Sequence, residues 1–176
     1  MVLAVPAPPI RAAGSRVTAT TYEADITDAV NFLANPPIFE GYQSAAQSIP
    51  NTTLTAIGIN TTLTDTYTGH DNVTNNSRYT CQLAVPGWYL VIVSLGFVAS
   101  ATGSRLIEIH KNGTAIKLIQ SGTDCSHTDI NAAIQCTAII QLVATDYVEG
   151  YAYQSSGGAL NTNPGNCGMS VIWLHA

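Results

Sequence analysis

The residues of this chain that could do chemistry are few and scattered. His70 adjoins Asp71, and Asp124 and Cys125 stand close to His127. Imidazole, thiolate and carboxylate suit several divalent ions, but neither group has a recognised ligand spacing and the chain has no CxxC. Both read as polar loop residues, so no metal and no cofactor is expected. Ser, His and Asp would compose a hydrolytic triad, yet there is no G-x-S-x-G elbow and nothing in their order sets a base beside a nucleophile. Glu23, Glu40, Glu108 and Glu149 are isolated, without the pairing that glycoside hydrolysis requires, and Glu108 alternates with apolar neighbours as a solvent-facing strand residue does. The expectation is a protein that is not an enzyme.

Aromatic residues offer a different chemistry, because a ring face suits the apolar side of a pyranose. Tyr67, in "TDTYTGHDN", is the candidate for an exposed ligand contact, with His70 beside it. Trp88, Tyr89 and Trp173 sit in apolar segments and read as core or subunit contacts. Tyr151 and Tyr153 are two apart, which places them on one strand face. Asn51, Asn60, Asn72, Asn75 and Asn112 open N-x-[ST] triplets, a pattern that an Asn- and Thr-rich surface also makes by chance.

Composition narrows the classes. The chain has 176 residues, a formal charge of −5 and six Lys and Arg together. Phosphate binding draws on clustered basic residues, so nucleic acid is not expected as a partner. No apolar run approaches the roughly 18–20 residues that cross a bilayer, so no membrane is expected either. The run Val2 to Val5 ends at Pro6 and is too short for a signal-peptide core, and export is not expected. The four cysteines, Cys81, Cys125, Cys136 and Cys167, permit three disulfide pairings. Cys125 and Cys136 could staple a hairpin, and buried free thiols are an equal reading.

The elements that position these residues fall into two parts. Residues 1–19, punctuated by Pro6, Pro8, Pro9 and Gly14, read as an extended arm. Thr20 and Glu23 have capping-box spacing, and Tyr22, Ile26, Ala29, Val30 and Leu33 then follow steps of three and four, which predicts an amphipathic helix. Pro36 and Pro37 stop it at about Ala34. A helix of that length is marginal alone and needs a surface to lie on. Beyond it, strands are predicted near 39–46, 53–59, 66–68, 78–84, 87–99, 104–111, 114–119, 133–144, 147–154 and 167–175. Residues 87–99 form a nearly continuous apolar run, the mark of a strand covered on both faces. Asn112 and Gly113 supply the tight turn of a hairpin. The class is all-β, an antiparallel sandwich or jelly roll of about ten strands, over 38–176, preceded by an arm and short helix over 1–37.

The second half carries a family pattern. "YTCQLAVPGWYLVIVSLGF", "RLIEIHKNGTAI", "AIIQLVATDYVEGYAYQ" and "GMSVIWLHA", in that order, resemble the globular heads of the complement and tumour necrosis factor superfamily, with Thr145 where that family usually has Gly. The resemblance implies a jelly roll and a compact homotrimer, for which Trp88, Tyr89, Tyr151 and Tyr153 are the expected interface residues. "RVTATTYEADITDAVNFLANPP" is similar to the leader of structural proteins from phages of actinobacteria. Together the two resemblances imply a structural protein on the surface of a bacteriophage virion, assembled in the bacterial host cytoplasm, with capsid or tail proteins as partners. Attachment would fall to Ile10, Ile26, Val30, Phe32 and Leu33, buried on a neighbour or on the body. The chain has no heptad stalk or collagen-like shaft, which favours a head decoration protein. The alternatives are a minor tail or receptor-binding protein that meets host surface glycans through loops 64–77 and 155–166, or a free lectin-like module.

Overall fold

Pro36 and Pro37 separate helix from strands in the computed structural model, which describes residues 3–7, 10–124 and 131–176. The helix begins two residues earlier than its sequence suggests. Thr18 is the N-cap: its amide donates to the Thr21 hydroxyl at 2.7 Å, and the Thr21 amide donates back to the Thr18 hydroxyl at 3.3 Å. Thr21 thereby takes the role expected of Glu23. The helical run comprises α1 (Ala19–Tyr22), a π turn (Glu23–Thr27) and α2 (Asp28–Ala34), and it stops at Ala34 as the two prolines dictate.

Twelve strands are described: β1 (Ile38–Tyr42), β2 (Ser48–Ile49), β3 (Thr55–Ala56), β4 (Thr61–Asp65), β5 (Arg78–Thr80), β6 (Gly87–Phe97), β7 (Ser104–Lys111), β8 (Thr114–Asp124), β9 (Ala132–Leu142), β10 (Tyr147–Gln154), β11 (Leu160–Asn161) and β12 (Gly168–His175). The strand expected at 66–68 is a turn, and the strand lies just before it, at β4. One main sheet runs β4-β1-β12-β6-β9 and the other β3-β10-β7-β8, with β5 also paired to β10, and β2 and β11 form a separate small pair. The pairings are antiparallel throughout. The two sheets enclose the core as a jelly-roll sandwich.

Alternation along β6 decides what faces what. Tyr89, Val91, Val93, Leu95 and Phe97 are buried, whereas Trp88, Leu90, Ile92 and Ser94 on the other face are only half-buried. The continuous apolar run therefore fills a core on one side and leaves a second, largely apolar side only partly covered by its own chain. Across the sandwich, Ile107, Ile109, Val148 and Ala152 meet the β6 side chains. Gly150 has no room for a methyl group, since a Cβ there would stand 2.5 Å from Val93 Cγ1. The Asn112–Gly113 turn has the expected positive φ at both residues, 52° and 76°. Thr145 keeps a left-handed φ of 73° where the family pattern has Gly, an unusual conformation for a β-branched residue.

Candidate functional site

The register brings four aliphatic side chains into one row. Ile38 pairs with Ile172, Ile172 with Leu90, and Leu90 with Ile139, across β1, β12, β6 and β9. Residues directly opposite in antiparallel strands share a face, so the row crosses the outer surface of the first sheet. Ile139 is 62% exposed, and the other three are half-buried. Below the row the sheet hollows into a groove of about 600 Å3 lined by Glu40, Tyr42, Leu63, Ile92, Ser94 and Gln135. Trp88 lies on the same face, stacked near His175 with centroids 6.2 Å apart. The row was not singled out from the sequence. Its signal was the apolar identity of both faces of β6, matched by Ile139 and Ile172 on the strands to either side.

The other residues expected at a subunit interface do not join Trp88. Tyr89 points into the core and is fully buried, because its neighbours in phase are Val91 and Val93. Its hydroxyl donates to the Val85 carbonyl at 2.5 Å, and burial pushes its phenol well above the usual range. Tyr151 and Tyr153 alternate with the buried Ala152 and Gln154, so they lie on the outer face of the second sheet, opposite the face that carries Trp88. There Tyr151 stacks on His110 at 4.0 Å, with the planes 19° apart. Its neighbour Glu149 is buried on that same outer face, accepting from the Ser77 hydroxyl at 2.6 Å and Arg78 Nε at 3.0 Å. The Arg78 guanidinium in turn covers the Tyr147 ring at 4.0 Å.

Tyr67 is not an exposed contact. It is 1% exposed, because Asp65 folds the turn inward: its carboxylate accepts from the amides of Tyr67 at 3.3 Å, Gly69 at 3.1 Å and His70 at 2.9 Å. His70 is likewise engaged, with both ring nitrogens against backbone carbonyls. The polar composition of "TDTYTGHDN" hid a turn whose backbone amides are gathered by its own Asp65. Among the described residues no cluster of three His, Cys, Asp or Glu side chains is placed to hold a metal. Cys125 and His127 lie outside the described residues. Cys81, Cys136 and Cys167 are buried free thiols, each pushed up by burial.

The five candidate attachment residues divide. Phe32 is fully buried in a small second core with Tyr67 and Val85, against which Leu3, Val5 and Trp173 pack. A hydrogen bond from the Val5 amide to the Ala84 carbonyl at 2.9 Å pins the arm there. The segment ahead of Pro37 therefore contributes side chains to the body. Ile26, Val30 and Leu33 stay exposed along the helix, and Ile10 is fully exposed.

Neither a protein-family model nor a curated protein sequence matches the chain. Solved structures do. The globular domain of zebrafish complement 1qA protein aligns at 12% identity and a TM-score of 0.57, over 79% of this chain and 98% of that one. Eiger TNF from S. frugiperda aligns at 12% identity and a TM-score of 0.58, over 80% and 95%. Murine APRIL aligns at 11% identity and a TM-score of 0.57, over 78% and 98%. The fold is thus a jelly roll of the complement and tumour necrosis factor type.

Proposed function

We propose that this chain is a non-enzymatic structural protein that forms a homotrimer on the surface of a bacteriophage particle, as a head decoration protein moored by its N-terminal helix. The observation that carries the reading is the row Ile38, Ile172, Leu90 and Ile139, open on the outer face of a sheet. Burying side chains of this size contributes on the order of 1.5–3 kcal/mol each, before the cost of association. Around a three-fold axis the row on each protomer would pack against the apolar surface of its neighbours. The helix adds a separate apolar strip, Ile26, Val30 and Leu33, held outward because Phe32 fixes the opposite side. The phage setting is supported by the resemblance of residues 16–37 to phage leaders.

Sedimentation of the full chain tests assembly: the expected mass is three times the 18.5 kDa protomer, and Ile139→Glu should release monomers that remain folded. A monomeric parent protein would sink the trimer. Imaging of labelled particles tests the setting, with label on the head expected; label confined to the tail would replace decoration by a tail role. Replacing Ile26, Val30 and Leu33 by Ser tests the mooring, and a trimer that still loads fully onto particles would refute it.

A further inference from the structure

His70 makes two contacts that a neutral ring cannot make together. Its Nδ1 lies 2.6 Å from the Arg78 carbonyl oxygen, and its Nε2 lies 2.9 Å from the Ile59 carbonyl oxygen. A carbonyl oxygen only accepts, so each nitrogen must carry a hydrogen, whereas neutral imidazole has one N–H. Turning the ring over would set C–H groups against both carbonyls. We propose that His70 is held as an imidazolium, and that this charged ring is a pH-sensitive clasp closing one edge of the sandwich.

The surroundings favour the cation from several sides. On β4, Asp65 turns its carboxylate to the His70 amide at 2.9 Å. Asp71 is next in the chain; its carboxyl is held below the usual range by the amides of Val73 and Thr74. From β1 the Phe39 ring lies over the imidazole, with centroids 4.6 Å apart and planes 33° apart, and an aromatic face attracts a cation. Arg78 on β5, whose carbonyl takes the Nδ1 contact, has its guanidinium drawn to Glu149 at 3.0 Å. Tyr79, bridged to His70 across the strands, has its phenol pushed up by burial and stays neutral. The Tyr67 hydroxyl of the same turn is also buried.

The clasp joins the two sheets. Ile59 leads into β4, the edge of the first sheet, while Arg78 opens β5, which pairs with β10 of the second. Loss of one ring proton leaves one carbonyl without its donor, and the segment 60–77 between the two anchor points is then held by one contact fewer. Losing a hydrogen bond to a charged group corresponds to about tenfold or more in a local opening equilibrium.

Nitrogen-15 NMR of the ring in the full chain, from pH 5 to 8.5, provides the test, because imidazole ordinarily changes charge within that span. Both His70 nitrogens should carry protons at the acid end. As the ring loses one, exchange of the Ile59, Gly69 and Thr80 amides, corrected for the intrinsic effect of pH, should quicken about tenfold. In His70→Gln the same amides should lose this pH dependence. A ring that keeps a single proton throughout overturns the proposal. So does a ring that titrates without changing those amides, or a pH dependence that survives in the Gln variant. Should the variant not fold, the titration of the unaltered protein still decides.

Discussion

Phe32 and Trp173 meet edge to face, with ring centroids 4.9 Å apart and planes at 84°. This contact ties the last turn of α2 to the final strand of the body, where the Pro37 carbonyl also accepts from the Trp173 amide at 3.0 Å. Phe32→Ala should therefore cost about 3–5 kcal/mol, as expected for an aromatic removed from a closed site. Leu33→Ser, one residue on but 66% exposed, should stay within about 0.5 kcal/mol in the isolated protein. Urea unfolding of the two variants under monomeric conditions reads the contrast.

Arg105 is almost completely buried, at 1% exposure. Its guanidinium donates to the carbonyls of Thr102 at 3.0 Å, Ser104 at 3.1 Å and Ser100 at 3.3 Å. A planar fork can serve several acceptors at once, and an ammonium on a flexible stem cannot. Arg105→Lys should destabilise by roughly 1.5–3 kcal/mol. Proteolytic cleavage between Ala99 and Ser104 should accelerate in the same variant, since these carbonyls are what the side chain holds in place.

Gly150 and Val93 face each other across the core with no space for another methyl group. Gly150→Ala should cost about 1–3 kcal/mol through overpacking. Val93→Ala opens room for the new methyl, so the double variant should be more stable than the sum of the single losses implies. A coupling energy of zero in the double-mutant cycle would contradict the close approach seen here.

Asp146 sets the acid limit of one corner. Burial alone would push its carboxyl up, but hydrogen bonds from Lys111, Asn112 and the Val143 amide outweigh that and hold it at about 2. The contacts are short, 2.7 Å to Lys111 Nζ, 2.7 Å to Asn112 Nδ2 and 2.9 Å to the Val143 amide. A carboxyl whose folded value lies below its unfolded value of about 3.9 adds stability above that pH, and the gain is lost as pH falls toward 2. Asp146→Asn should lower stability at neutral pH and flatten its decline between about pH 4 and 2. Acid titration followed by circular dichroism measures both effects.

Much of the architecture was legible because strand alternation and turn chemistry act locally. The Asn112–Gly113 turn, the long β6 and the stop at Ala34 all follow from a few neighbouring residues. What sequence could not tell was the outcome of competition between long-range contacts. Tyr67 looked exposed among polar neighbours, yet Asp65 spends its carboxylate on the turn amides and sends the ring inward. Arg105 shares its phase with Ile107 and Ile109, so its inward direction was readable, but a buried cation becomes tolerable only once the carbonyls of the 100–104 loop gather around it. Tyr89 was misplaced by a single position of strand phase: Trp88 faces out, and Tyr89 faces in. The apolar stripe of the helix was visible, whereas the residue that glues the helix down, Phe32, lies off that stripe.

The π turn at Glu23–Thr27 has a genetic consequence. It closes on i→i+5 rather than i→i+4 hydrogen bonds, so its turn holds about one residue more than an ordinary one and absorbs that residue between α1 and α2. Deleting one codon within this stretch should restore ordinary winding and leave Ala19 to Tyr22 on nearly the same side of the axis, while Phe32 keeps its seat. The same deletion inside α2 ahead of Phe32 would instead swing everything before it by about 100°. A one-residue change in length is thus silent at the π turn and redirects the outer half of the helix a few codons later.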